Sequence, residues 1–65
     1  MDMITHPDTE LMVATLTRCG RRWMVMLWDG QGWFRATQWH KTKREALDRM
    51  QAHCASLGVP CRGAS

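Results

Sequence analysis

Residues 22–39 read RWMVMLWDGQGWFRATQW, two runs of apolar, aromatic and β-branched residues on either side of Asp29-Gly30-Gln31-Gly32. Such side chains suit the pleated, half-buried surface of a strand. Glycine supplies the positive φ that a tight hairpin connection needs. The stretch is predicted as a β-hairpin, with one strand over 22–29 and the other over 33–39. A two-residue turn at Gly30-Gln31 pairs Trp28 with Trp33, and a four-residue loop over 29–32 keeps the same parity.

Working outward toward the N-terminus, Leu11 to Arg18 (LMVATLTR) is again β-branched and apolar, and it ends at the turn signal Cys19-Gly20. It is predicted as a further strand, which makes a three-stranded antiparallel meander. The first ten residues, MDMITHPDTE, are polar, contain Pro7 and show no period, so they are expected to be a flexible lead-in.

Toward the C-terminus the period changes. Thr42-Lys43-Arg44-Glu45 has the spacing of a capping box, in which the hydroxyl and the carboxylate each satisfy an amide hydrogen of the first turn. Ala46, Leu47, Met50, Cys54 and Leu57 follow at 3.6-residue spacing, one stripe of a helix. Gly58 suits the left-handed residue after the last turn, and Pro60 prevents continuation. The predicted fold is α+β, a β-β-β-α arrangement with one C-terminal helix packed on one face of the sheet. The domain spans 11–59, preceded by the lead-in 1–10 and followed by a loose tail over 60–65.

Alternate residues of a strand point to opposite faces. With the parity above, Trp23, Val25 and Leu27 share a face with Phe34 and Ala36, joined by Met12, Ala14 and Leu16 if the first turn also has two residues; a three-residue first turn flips that strand. Met24, Met26 and Trp28 share the other face with Trp33, Arg35, Thr37 and Trp39. One helix covers one face, and the first set is the more uniformly apolar. That leaves Met24, Met26, Trp28, Trp33, Arg35 and Trp39 uncovered as candidate partner-binding residues. Monomers seldom expose a contiguous apolar patch above ~300–600 Å² without using it. Trp and Arg are enriched at binding hot spots, and Met adapts to irregular partner surfaces. Two other occupants compete for this face: the N-terminal ten residues folding over it, and a second copy in a homodimer.

Composition narrows the function. Sixty-five residues with nine Lys+Arg against six Asp+Glu make one small, mildly basic domain of net charge +3. No run approaches the ~20 apolar residues of a membrane span, and no charged-then-apolar leader is read, so the expected compartment is the cytoplasm. Three cysteines without C-x-x-C spacing argue against a disulfide scaffold or a zinc ribbon. His53, Cys54 and Cys61 lack the paired spacing of structural zinc, so no metal or cofactor is expected; Cys61 is expected to be a free tail thiol. Cys19 lies among Arg18, Arg21 and Arg22 with no base close in sequence. No paired acids or phosphate loop occur, so an enzyme is not expected. The cations Arg21 and Arg22 at the first hairpin tip, and Lys41, Lys43 and Arg44 around the helix start, are candidate contacts to nucleic acid or an acidic partner.

The strands leading into His40-Lys41-Thr42-Lys43-Arg44-Glu45-Ala46 resemble two families over residues 20–57. One is the arm-type DNA-binding domain of tyrosine-family phage and transposon integrases; the other is the DNA-binding domain of plant ethylene-response factors. The resemblance implies a three-stranded sheet whose exposed face enters the major groove. In size and lack of catalytic equipment the chain is also similar to small phage and mobile-element accessory proteins, anti-CRISPR inhibitors among them. Duplex affinity is dominated by phosphate neutralisation, and a Trp/Met face with one central Arg is poorly equipped for that. The expected function is therefore a non-enzymatic binding protein directed at a protein or nucleoprotein partner, an inhibitor or regulator of host nucleic-acid machinery. The alternative is a DNA-binding module of the integrase-arm type.

Overall fold

The computed structural model describes residues 2–60, and within them an antiparallel sheet carries one C-terminal helix. The strands are β1 (Asp2–Thr5), β2 (Met12–Cys19), β3 (Arg22–Trp28) and β4 (Phe34–His40), and the helix is α1 (Lys43–Leu57). The sheet order is β1-β2-β3-β4, a meander of four strands rather than three. The expected loose tail over 60–65, Cys61 included, lies beyond the described residues except for Pro60.

The added strand corrects the reading of residues 1–10 as a lead-in. Asp2–Thr5 pairs with β2, Met3 opposite Thr15 and Ile4 opposite Ala14. Pairing spares β2 an open edge of unpaired backbone groups and buries Ile4 in the core. The segment therefore widens the sheet in its own plane instead of folding over a face. Its turn is held by His6 N–H donating to the Leu11 carbonyl at 2.8 Å and Glu10 N–H donating to the His6 carbonyl at 2.8 Å.

The core is Ile4, Val13, Ala14, Leu16, Val25 and Leu27 of the sheet under Ala46, Met50, Cys54 and Val59. Ala14, Leu16, Val25 and Leu27 are brought to one side by the Ala14↔Leu27 and Leu16↔Val25 pairings, the register of a two-residue turn at Gly20-Arg21. The helix stripe meets them as its spacing predicts, and burying a side chain of Met50's size contributes about 1.5–3 kcal/mol.

Both helix ends are fixed locally. Thr42 Oγ1 accepts the Glu45 N–H at 3.2 Å. At the other end Gly58 adopts φ 70°, its N–H donates to the Ala55 carbonyl, and Val59 N–H donates to the Cys54 carbonyl at 2.9 Å. This is a Schellman termination with its hydrophobic companion, since Val59 is buried.

The β3–β4 connection departs from the expected turn. Asp29 N–H donates to the Trp33 carbonyl at 3.0 Å, closing a three-residue loop of Gly30, Gln31 and Gly32. Pairing then slips: Trp28 lies opposite Phe34, whereas Leu27 lies opposite Ala36. Arg35 is the extra residue of a β-bulge. A bulge re-aims side chains on the strand that carries it, and it exchanges the positions expected for Phe34 and Arg35.

Candidate functional site: the uncovered sheet face

Cross-strand partners lie on the same side of a sheet and touch through their side chains. The helix-free face is therefore built in rows. Met3, Thr15, Met26 and Thr37 form one row across all four strands. Thr17, Met24 and Trp39 form the next. Trp28 and Phe34 form the last, their rings edge to face with centroids 5.5 Å apart.

The strongly exposed apolar side chains fall largely here. Met3 is 58% exposed, Phe34 51% and Trp39 52%, while Trp33 in the neighbouring loop reaches 73%. Met24, Met26 and Trp28 are half-buried against one another and their neighbours, and Thr15 between Met3 and Met26 is buried. The surface is a continuous apolar sheet face with threonine between its methionines. Among the described residues no helix or strand lies over it.

The structure brings together most of the expected set but not all of it. Met24, Met26, Trp28 and Trp39 share the face as their alternation predicts. Trp33 is not opposite Trp28; it precedes β4 and stands at the rim. Arg35 leaves the face altogether. It lines a cleft between β4 and α1 with Asp29, Arg49 and His53. Phe34, expected in the core, takes the place beside Trp28. Sequence reasoning missed Met3 as well, although the alternation Met3-Ile4-Thr5 is a short strand signal.

The cations divide between the two sides. Arg22, Trp39 and Lys41 line one shallow cavity at the hairpin-tip end of the open face. Arg21 stands exposed in the adjacent turn. Lys43 belongs to the covered side, where its Nζ lies 5.7 Å from the centre of the Trp23 ring and the Arg18 guanidinium lies 5.8 Å from it. Such contacts contribute about 0.5–1 kcal/mol at exposed sites and close the core beside the helix start. Arg44 is exposed on the first turn of α1.

The end of the sheet away from these cations is tied by its two loops. Thr9 Oγ1 donates to the Gly30 carbonyl at 2.6 Å. Gly30 has φ 78°, and a Cβ there would come within 2.9 Å of the His6 ring. Asp29 organises its own loop, Oδ1 accepting the N–H groups of Gln31 at 2.7 Å and Trp33 at 3.0 Å. Donation from Gln31 chiefly, then from Trp33 and with Arg35 nearby, holds the Asp29 carboxyl below its ordinary value against a smaller opposing effect of desolvation.

Among the described residues no three His, Cys, Asp or Glu side chains are grouped to hold a metal ion, and no helix is long and apolar enough to cross a membrane. Set against known protein families, curated proteins and solved structures, the chain matches none of them.

Proposed function

We propose that the protein is a non-enzymatic binding module whose open sheet face engages another protein. The observation that supports this reading most is the row structure itself: Met3, Met24, Met26, Trp28, Phe34 and Trp39 are contiguous, while α1 is committed to the opposite side. Large aromatics with two side-chain torsions lose little entropy when a partner covers them, and methionine fits irregular contours. Arg22 and Lys41 at one end select a partner surface that is apolar at its centre and acidic along one margin. A regulator or inhibitor of nucleic-acid machinery fits that description.

A second reading rests on Trp39 itself. An exposed indole in a cavity with two cations is also the arrangement that stacks a nucleobase beside its phosphate, and such stacking contributes about 1–3 kcal/mol per base. This is the form in which a DNA-binding role, as in the integrase-arm resemblance, is carried by this chain.

The two readings and a homodimer separate in one experiment. Wild type, Phe34→Ser/Trp39→Ser and Arg22→Gln/Lys41→Gln are used for capture from lysate, with and without nuclease, and each is run by sedimentation velocity. The protein-binding reading expects a discrete partner retained after nuclease, lost with the aromatic pair and only weakened by the cation pair. Capture abolished by nuclease, or steeply weakened by salt in proportion to the phosphates contacted, overturns it in favour of nucleic acid. A wild-type dimer that the aromatic pair dissociates overturns it in favour of self-association.

A further inference from the structure

On the helix side of β4, the bulge creates a feature that the open face does not use. A cleft of about 410 Å³ between the sheet edge and α1 is lined by Arg35, Arg49, His53, Asp29 and Ser56 over a floor that includes Leu27. We propose that this cleft is a binding site for a small tetrahedral oxyanion of the phosphomonoester class.

Three observations support it. Arg49 and His53 are four residues apart on one helix, so their side chains project side by side, and the Arg35 bulge delivers a guanidinium to the same concavity from the strand. Without the slip between Leu27 and Trp28, Arg35 would lie with Thr37 on the open face. Bulges are over-represented where a strand must re-aim a side chain at a site.

The polar groups of the cleft, moreover, are oriented. Arg49 Nε donates to Gln38 Oε1 at 3.1 Å, which fixes the plane of the guanidinium and leaves its terminal nitrogens available. His53 Nε2 lies 2.6 Å from the Trp28 carbonyl, an acceptor, so Nε2 carries the hydrogen. In that neutral tautomer Nδ1 is an acceptor, suited to the hydroxyl of a singly protonated phosphoryl group rather than to its anionic oxygens. Arg35 stands exposed at the cleft, with Asp29 as its electrostatic neighbour.

The charge balance, finally, favours an anion. Two permanent cations meet one carboxylate, and the Oδ1 of that carboxylate already accepts two backbone N–H groups of its own loop. Guanidinium forks converging from two elements match several oxygens of a phosphoryl group better than the two coplanar oxygens of a carboxylate.

The test is a titration of the isotope-labelled protein with inorganic phosphate, and in parallel with glycerol phosphate and a short single-stranded oligonucleotide, at constant ionic strength. The expected result is saturable shifts at the Arg35 and Arg49 side chains, His53 and Ser56 with inorganic phosphate and with glycerol phosphate alike. Arg35→Gln should weaken binding roughly tenfold, the loss of one charge-assisted contact. Arg35 is exposed, so this variant keeps the fold, and its amide spectrum checks that. Asp29→Asn keeps the acceptor for the loop and removes the one negative charge, so it should tighten binding.

Shifts that do not saturate, that appear equally at Arg21 and Arg22, or that survive Arg35→Gln overturn the site. So does an oligonucleotide that shifts the cleft residues when inorganic phosphate and glycerol phosphate do not. None of these outcomes depends on whether the open face binds a protein.

Discussion

On the helix side of the sheet, Leu16, Val25 and Leu27 are closed over by Ala46, Met50 and Cys54, whereas on the other side Met24, Met26 and Trp39 occupy neighbouring strands with no helix or strand above them among the described residues. The two faces are similar in residue class. What separates them is cover: the fifteen residues of α1 lie over one side of the sheet, and the described residues place no second layer over the other. The covered face carries the stability. The open face carries exposed aromatic surface that stability alone does not require, and it is there that a partner is proposed.

The largest expected effect tests that division directly. Met50→Ala removes a fully buried side chain and should cost about 2–5 kcal/mol, mostly lost transfer free energy with a cavity contribution. Trp39→Ser deletes a larger side chain from the open face and should cost under about 1 kcal/mol, since half of it already meets water. Urea unfolding followed by far-ultraviolet circular dichroism compares the two. Equal losses would mean that the open face is a second core and would remove the argument for a binding surface.

Much of this division is legible in the sequence, and the exceptions have particular causes. The helix, both its ends and its buried stripe follow from Thr42, Glu45, Gly58 and the 3.6-residue period, because those signals are local. The faces of β3, and of β2 from Ala14 onward, follow from alternation with a two-residue turn at Gly20-Arg21; Val13, where the pairing with β1 shifts register, is buried in the core instead of alternating out of it. The strand Asp2–Thr5 escapes because four residues followed by Pro7 carry too little period, and what orders them is the neighbouring edge of β2. The exchange of Phe34 with Arg35 escapes for a different reason. Gly30-Gln31-Gly32 permits two-, three- and four-residue closures alike, and Asp29 accepting from Gln31 and Trp33 selects the three-residue form. The bulge at Arg35 restores the register beyond it. The cleft is not legible in the sequence, because the Arg35 bulge that completes it depends on how the loop closes.

The two ends of the sheet sharpen the comparison further. At the loop end Gly30 is buried against His6. Gly30→Ala meets that ring and imposes a side chain on a left-handed backbone, so it should cost about 1–3 kcal/mol. Its loss should be partly recovered by His6→Ala, which removes the obstructing ring, and a double-mutant cycle measures the coupling. At the other end, on the covered side, His40 faces Trp23 across the ladder and its Nε2 is buried with no hydrogen-bond partner among the described residues. His40→Phe removes that unsatisfied atom and should stabilise by about 1 kcal/mol. Thermal unfolding reads the gain, and a loss instead would show that the imidazole has a polar partner.

Asp29 gives the smallest effect, and it connects the loop to the cleft. Its carboxyl is held low in the folded state, first by the Gln31 N–H. A group with a depressed folded pKa adds stability that is fully present above its unfolded value, about 3.9, and that disappears as pH falls through the folded value. The wild type should therefore lose more stability than Asp29→Asn as pH falls from about 5 to below 3. Because the side chain is solvent-accessible, salt should narrow the difference. Asp29→Ala, which lacks the acceptor, should be less stable than Asp29→Asn at every pH. If the asparagine variant were as weak as the alanine at neutral pH, the charge rather than the two amide contacts would govern the loop. The position of Arg35 in the cleft would then depend on attraction to Asp29 rather than on the bulge.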